Sequence, residues 1–267
     1  MISSMAVTAQ KKPLSPWLRF LQSLSRRLLP YANLNLALPT GLRLPITNRG
    51  NLFLFQEVFL QPGYLQLLET LPAPKTVCDL GVNHGYFSLA CEHSKRLRQD
   101  NTVTFYAGID ANPFCLQACQ RNFELNLPLG SYVTELGCIG RPGATVDFYV
   151  DKNDLNSSAL HKTTNSKCHR IPAFDLEAFF KKYFPDGCDL MKVDVQGAEG
   201  ALLQYWGDTI SRKCRAVMLE YHPYCGLKPG EFKAFFQKLG FTAAHFPEGE
   251  EGEFLALFVK NSQGRTV

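Results

Sequence analysis

The chain of 267 residues is 45% hydrophobic and 19% charged, the composition of a globular domain with one sizeable core. With no run of about 18 apolar residues, a membrane-spanning helix is excluded as an expectation. The net charge of +4 is uneven: residues 1–56 hold seven Lys and Arg and no Asp or Glu, so removing their +7 leaves −3 for the rest, and a nucleic-acid partner is not expected.

Residues 1–56 are expected to form a basic extension to a domain spanning 57–267. Within it Trp17, Leu18, Leu21, Leu24 and Leu28 recur at helical spacing among Arg19, Arg26 and Arg27. This amphipathic stretch, residues 14–29, has three readings: a helix packed on the domain, a helix held at an anionic membrane surface, or a transit peptide. Residues 30–50, with three prolines and two glycines, read as loop with short strands, Asn51–Leu60 begins as a strand-like run, and Tyr64–Leu71 resembles a short helix.

Thr76–Leu80 reads as a buried strand, followed by the turn Gly81-Val-Asn-His-Gly85 and a helix over Phe87–Arg98. Glycine lets backbone approach a ligand, and a helix start offers unpaired N–H groups. The second strand is expected at Val103–Asp110 and the second helix at Pro113–Asn126. Further strands are expected at Tyr132–Cys138 and Thr145–Val150, then a polar loop at 151–167 and a helix at Asp175–Tyr183. Cys188–Val195 and Ala216–Tyr221 read as core strands flanking a helix at Ala198–Trp206. Pro229–Leu239 reads as helix, and Phe241–Phe246 with Phe254–Val259 as a closing hairpin. The alternation predicts an α/β fold, a doubly wound and mostly parallel sheet with an antiparallel end. Nine scattered cysteines without a CxxC pair read as reduced thiols, consistent with a cytoplasmic protein.

The turn after the first core strand retains two of the three glycines of a dinucleotide fingerprint, and Asp79 just before it is awkward beside a pyrophosphate. An acid there suits a ligand bearing an ammonium and a sulfonium, which favours S-adenosyl-L-methionine over a nicotinamide cofactor. Asp110 ends the second strand, where a carboxylate can accept from ribose hydroxyls of either cofactor. Asn112-Pro113-Phe114 is read as a helix start with Pro in its first turn. The cofactor-binding residues expected are Asp79, Gly81, Asn83, Gly85, Tyr86 and Ser88 around the turn, Asp110, Ala111 and Asn112, Cys138, and Asp194.

In the run Asp189-Leu-Met-Lys-Val-Asp-Val-Gln-Gly-Ala-Glu199, alternation puts Lys192 and Asp194 on one face of a strand whose carboxyl end borders the ligand crevice. Glu220 and His222 end the neighbouring strand. Lys192, Asp194, Glu220 and His222 are the candidate catalytic residues. His222 is the expected base because its unperturbed pKa is near neutrality, with Asp194 as orienter or alternative base. Lys192 is alternatively the partner of a structural ion pair with Glu220 or Glu199. No metal ligand set is expected, although a divalent ion bridging Asp194 and Glu220 is compatible with the residues.

The opening motif, the Tyr-Ala-Gly-Ile-Asp110-Ala-Asn-Pro and Arg121-Asn-Phe-Glu-Leu-Asn126 segments, the Lys192–Glu199 run, the Asn156–Leu160 loop and Leu219-Glu-Tyr-His222 together resemble the FkbM-type methyltransferases over roughly residues 40–260. The resemblance implies a class I (Rossmann-like) S-adenosylmethionine-dependent fold with a seven-stranded sheet, and O-methylation of a hydroxyl on a sugar, glycan or polyketide-like small molecule. Two positions depart from the family's usual residues: Asp110 and Gln196 both stand where it usually has Glu. A nicotinamide-dependent oxidoreductase and a catalytically inactive cofactor-binding module are the alternatives. Loop 151–167 and the extension are expected to cover the acceptor.

Overall fold

A computed structural model describes residues 34–150 and 167–260. The expected amphipathic helix at 14–29 lies outside them, as does the expected polar loop at 151–167 apart from Lys167, which begins a strand. Among the described residues no helix is long and apolar enough to cross a membrane.

The described chain starts with a hairpin, β1 (Leu34–Ala37) and β2 (Arg43–Ile46). Next comes α1 (Arg49–Phe55), which runs directly into a π-turn, Gln56–Leu60. This corrects the strand-like reading of Asn51–Leu60. The side chain of Asn48 caps the helix by accepting from the Asn51 N–H at 2.9 Å. The segment looks strand-like in sequence because both inward and outward positions are apolar: Phe55, Val58 and Phe59 are buried while Phe53 is 52% and Leu60 55% exposed.

After α2 (Tyr64–Glu69) the main fold begins: β3 (Thr76–Leu80), α3 (Tyr86–Leu97), β4 (Phe105–Asp110), α4 (Pro113–Asn126) and β5 (Tyr132–Leu136). Then β6 (Thr145–Val150) pairs antiparallel with β7 (Lys167–Pro172) as a separate two-stranded ribbon. The sequence reading placed β6 correctly but not its partner, since β7 is a mostly exposed strand in which only Ile171 is buried. The remainder is α5 (Leu176–Tyr183), β8 (Cys188–Val193), α6 (Glu199–Lys213), β9 (Cys214–Tyr221), α7 (Pro229–Lys238), β10 (Phe241–His245) and β11 (Phe254–Lys260). Helix α6 runs about two turns past the expected Trp206. It continues through Gly207, where the Phe235 ring of α7 lies close: a Cβ there would stand 3.0 Å from it.

The seven-stranded sheet has the order β10-β11-β9-β8-β3-β4-β5. The five strands from β9 to β5 are parallel, and β11 pairs antiparallel with both β9 and β10. This is the doubly wound class I arrangement with an antiparallel end that the sequence implied. One face is covered by α5, α6 and α7 through Phe180, Leu203, Trp206, Phe232 and Phe236. The other is covered by α3 and α4 together with Leu42, Leu44, Ile46 and Phe55 of the preceding segment. Asn126 fastens that segment to α4: its side chain accepts from the Arg43 N–H at 2.7 Å and donates to the Arg43 carbonyl at 2.8 Å. Eight of the nine cysteines are buried, Cys168 being the exposed one, and none is bridged. They fill the core as small apolar residues.

Strand order reverses between β3 and β8, because α3 carries the chain toward β4 while α6 carries it toward β9. In open α/β sheets the crevice at such a switch point, beyond the carboxyl ends of the strands, receives the ligand.

Candidate functional site

A cavity of about 380 Å³ opens at that switch point, within the usual size range for small-molecule sites. Its first wall is the turn after β3. The N–H groups of Gly81 and Val82 both donate to the Ile109 carbonyl, at 2.9 and 3.0 Å, which pins the turn to β4. Gly81 adopts a left-handed φ of 73°, and a Cβ added to it would stand 1.7 Å from the Asp194 carbonyl oxygen. At Gly85 an added Cβ would meet the Phe123 ring at 2.6 Å. The expectation that these glycines bare the backbone to a ligand is corrected for Gly85, which does not line the cavity, while Gly81 does line it. Their missing side chains are filled by protein, one by the neighbouring turn and the other by α4.

Asn83 lines the cavity in a left-handed conformation, φ 49°, uncommon for a residue other than glycine. Its side chain closely contacts the His84 imidazole. Burial, aided by the nearby Arg121 charge, lowers the His84 pKa to about 4, so this ring is neutral. The Asn83 N–H donates to Asp110 Oδ2 at 2.8 Å, and the Asn112 N–H donates to Asp110 Oδ1 at 2.8 Å. Asp110 thus joins the turn after β3 to the turn after β4. Burial raises its pKa to about 6, against the two N–H bonds that favour the carboxylate. Asn112 also caps α4 through Phe114 N–H at 3.0 Å, with Pro113 in the first turn. Ala111, Asn112 and Cys138 line this side of the cavity beside the apolar Ile109, Ile139 and Phe148.

The second wall comes from the ends of β8 and β9. Asp194, Glu220 and His222 line it as expected, joined by Gln196, Tyr224, Glu57 and Glu253. Lys192 lies beneath, its side chain 6% exposed. Its Nζ donates to the Gly81 carbonyl at 2.7 Å and pairs with Asp79 and Asp194 at 3.4 Å each. Burial opposes its charge, but Asp194, Asp79, Glu220 and Asp110 together raise its pKa. Its ion-pair partners are therefore Asp79 and Asp194, in place of the anticipated Glu220 or Glu199.

Asp79 is fully buried, accepts from the Ser88 hydroxyl at 2.9 Å and does not line the cavity. Gly85, Tyr86 and Ser88 are also absent from the lining. The Tyr86 hydroxyl instead donates to the Pro45 carbonyl at 3.1 Å, against the β2 end. These four residues shape the turn from behind. Of the expected site residues, Gly81, Asn83, Asp110, Ala111, Asn112, Cys138, Asp194, Glu220 and His222 meet at one cavity; Lys192, Asp79, Gly85, Tyr86 and Ser88 do not.

His222 departs most from its expected chemistry. Its ring is 1% exposed, with Nδ1 2.9 Å from Glu199 Oε1 and Nε2 3.9 Å from Asp194 Oδ1. Burial alone would lower its pKa, but the hydrogen bond and charge of Glu199, with Asp194 and Glu220 behind, raise it to about 9. At neutral pH it is an imidazolium, which has no lone pair to accept a proton, and this corrects the expectation of a ready base. Glu199, in turn, is held by the N–H groups of Val195 and Gly197 at 3.3 and 3.2 Å.

Two carboxyls move the other way from an ordinary acid. Burial, then the charges of Asp194 and Glu57, raise Glu220 to about 8, while the Tyr64 hydroxyl donates to its Oε2 at 2.9 Å. Burial and Asp194 raise Glu57 to about 7. Gln196, φ 50°, donates to Asp194 Oδ1 at 3.0 Å, so the amide at this position orients a carboxylate where a Glu would repel it. Glu57, Glu253 and Tyr224 were not marked by the sequence reading. Glu57 did carry a signal: it is the first acid of the chain, and with Gln56 it interrupts an otherwise apolar run from Leu52 to Leu60. Among the described residues no group of three or more His, Cys, Asp or Glu is placed to hold a metal ion.

A model of the methyltransferase FkbM domain matches residues 79–243, more than half of the chain. Methyltransferase sdnD of Sordaria araneosa is 26% identical over 220 residues, covering 71% of this chain and 81% of that protein. Among solved structures, M. capricolum TrmK in complex with S-adenosyl-homocysteine is 14% identical with a TM-score of 0.43, covering 74% of this chain and 67% of that one. A TehB-like SAM-dependent methyltransferase from Corynebacterium glutamicum is 13% identical with a TM-score of 0.40, covering 78% of this chain and 94% of that one.

Proposed function

Because the chain belongs to the FkbM methyltransferase family and uses S-adenosyl-L-methionine, we propose that it methylates a hydroxyl of a small molecule, sugar-like or polyketide-like, inside the switch-point cavity. The observation that carries this reading is the meeting of two unlike walls in one cavity: Asn83, Asp110 and Asn112 on one side, Asp194, Glu220 and His222 on the other. The first wall fits a nucleoside, since the Asp110 oxygens keep lone pairs for ribose hydroxyls and Ile109, Ile139 and Phe148 offer apolar contact. The second wall fits the cationic end of the donor and a polar acceptor.

The cofactor supplies an electrophilic methyl group carried on a sulfonium. The chain's own residues then position an acceptor oxygen, which is the largest demand on such a site. Asp194 is fixed for this by Gln196 on one oxygen and Lys192 on the other. His222, charged and buried, holds positive potential beside Asp194 and steadies an oxygen that gains negative character as its proton leaves. A hydroxyl acceptor fits because the site carries carboxyls that titrate near neutrality, and these are needed for a group that must lose a proton.

The test is to incubate the protein with S-adenosylmethionine bearing a deuterated methyl group and a small-molecule cell extract, then seek mass-shifted products. Label recovered on oxygen supports the reading. Label confined to nitrogen or carbon would refute hydroxyl transfer, and no label despite bound cofactor would favour an inactive binding module.

A further inference from the structure

Glu57 stands on the π-turn Gln56–Leu60, outside the segment 79–243 matched by the family, and faces the same cavity as Asp194, Glu220 and His222. A π-turn adds a residue to a helical turn and so re-aims the side chains it carries; such turns recur at functional sites. Val58 and Phe59 are buried beside Glu57 in the core, which holds the turn in place, while Glu57 itself is half-buried.

Of the other acids of the cavity and its histidine, Glu253 is exposed to solvent, whereas Asp110, Asp194, Glu220 and His222 are already engaged. Asp110 accepts one N–H on each oxygen. Asp194 is paired with Lys192 and accepts from Gln196. Glu220 accepts from Tyr64, and the proton on His222 Nδ1 is held by Glu199. Among the described residues no hydrogen bond or ion pair holds the Glu57 carboxylate.

We propose that Glu57 is the general base of the methyl transfer, taking the proton of the acceptor hydroxyl as its oxygen attacks. The inference rests on the hydroxyl-transfer reading above. The O–H bond breaks and its proton passes to a Glu57 oxygen. The acceptor oxygen bonds the methyl carbon, and the electron pair of the broken carbon–sulfur bond stays on sulfur. Glu57 then returns its proton to solvent.

The groups facing Glu57 tune it for that step. Burial and the negative charges of Asp194 and Glu253 raise its pKa, while Lys192 and His222 lower it, and the balance lies at about 7. A base is most effective when its pKa is near the working pH.

The test combines a proton readout with turnover. Protein carrying carbon-13 at the glutamate carboxyls, without any cofactor, should show a resonance titrating near neutrality in the wild type and missing from Glu57→Gln. In transfer of labelled methyl to the small-molecule extract, Glu57→Gln should lose about 10²-fold or more of the rate together with the acidic limb of the pH profile. Its affinity for S-adenosylhomocysteine should stay within twofold, which also shows that the variant is folded. Glu57→Asp should retain the acidic limb at a reduced rate. If Glu57→Gln transfers methyl at the wild-type rate with the limb intact, or the carboxyl does not titrate near neutrality, the assignment is overturned. A wild type that binds S-adenosylhomocysteine but labels nothing overturns the hydroxyl-transfer reading, and the base with it.

Discussion

The Nδ1 of His222 lies 2.9 Å from Oε1 of Glu199, with 1% and 0% of the two side chains open to solvent. An ion pair so enclosed is a pH-dependent part of the fold, because its proton is bound more tightly in the folded chain than in the unfolded one. The folded pKa of His222 is raised to about 9 from 6.5. The pair's contribution is therefore complete below pH 6.5 and lost as the pH climbs through 9, a change on the order of 3 kcal/mol. Glu57 and Glu220, raised to about 7 and 8, push stability in the same direction over an overlapping range. The His222 share is isolated by comparing wild type with Glu199→Gln in denaturant unfolding at pH 6.5 and pH 9. The wild type should lose stability more steeply, and equal losses in both proteins would rule the pair out as its source.

Lys192 gives a second prediction, since it neutralises an acid with no access to water. Asp79 is fully buried, and its Oδ1 has the Lys192 ammonium at 3.4 Å. Lys192→Met leaves that carboxylate buried and uncompensated, a loss of about 3–5 kcal/mol. The double variant Asp79→Asn with Lys192→Met removes both charges and should recover much of this stability in a thermal or denaturant melt. A double variant as unstable as the single one would show that Lys192 acts through packing or through the Gly81 carbonyl rather than through charge.

How far the sequence foretold this arrangement depended on whether a residue's role was local. The turn after β3, the Asn112 cap and the acids at the ends of β4, β8 and β9 follow from spacing and strand alternation, and nine expected site residues do meet in the cavity. Pairings across the sheet were less readable. Lys192 was expected beside Glu220 or Glu199, but parallel register sets Asp79 opposite Lys192, and the turn brings Asp194 to the same ammonium. His222 looked like an ordinary histidine because nothing in a linear sequence shows that α6 would present Glu199 to its Nδ1. Glu57 went unread for a related reason. It reaches the cavity from a segment preceding the matched domain, and the apolar residues on both sides of Gln56-Glu57 conceal whether a strand or a helix carries it.

The approach of two turns at Gly81 sets up a third prediction. A methyl group there would collide with the Asp194 carbonyl at 1.7 Å, and φ is 73°. Gly130 has a similar φ of 83° but nothing within 4 Å of an added Cβ. Gly130→Ala should therefore cost only the left-handed conformational penalty of about 1–2 kcal/mol. Gly81→Ala should cost clearly more and, by moving Asp194, weaken S-adenosylhomocysteine binding. Similar melting temperatures for the two variants would mean that backbone conformation, and not the contact with Asp194, dictates glycine at position 81.

Asp110 provides the most direct test of the nucleoside wall. Its two oxygens accept the Asn83 and Asn112 N–H groups at 2.8 Å each, so one carboxylate orders both turns that line the cavity. Asp110→Asn keeps one acceptor but sets an NH2 against the second N–H, leaving a donor unmatched. A lost bond of this charged kind is worth about 1.5–3 kcal/mol. Affinity for S-adenosylhomocysteine should therefore fall about tenfold to a hundredfold in calorimetric titration. Asp110→Glu keeps the carboxylate, so it should bind within a few-fold of wild type. Raising the pH from 5 to 7 should tighten binding to the wild type, because the carboxyl titrates at about 6 and the ionised form is the better acceptor for ribose hydroxyls. The same change should leave the Asn variant's binding without that component. An Asn variant with wild-type affinity and the same pH response would remove Asp110 from the cofactor site.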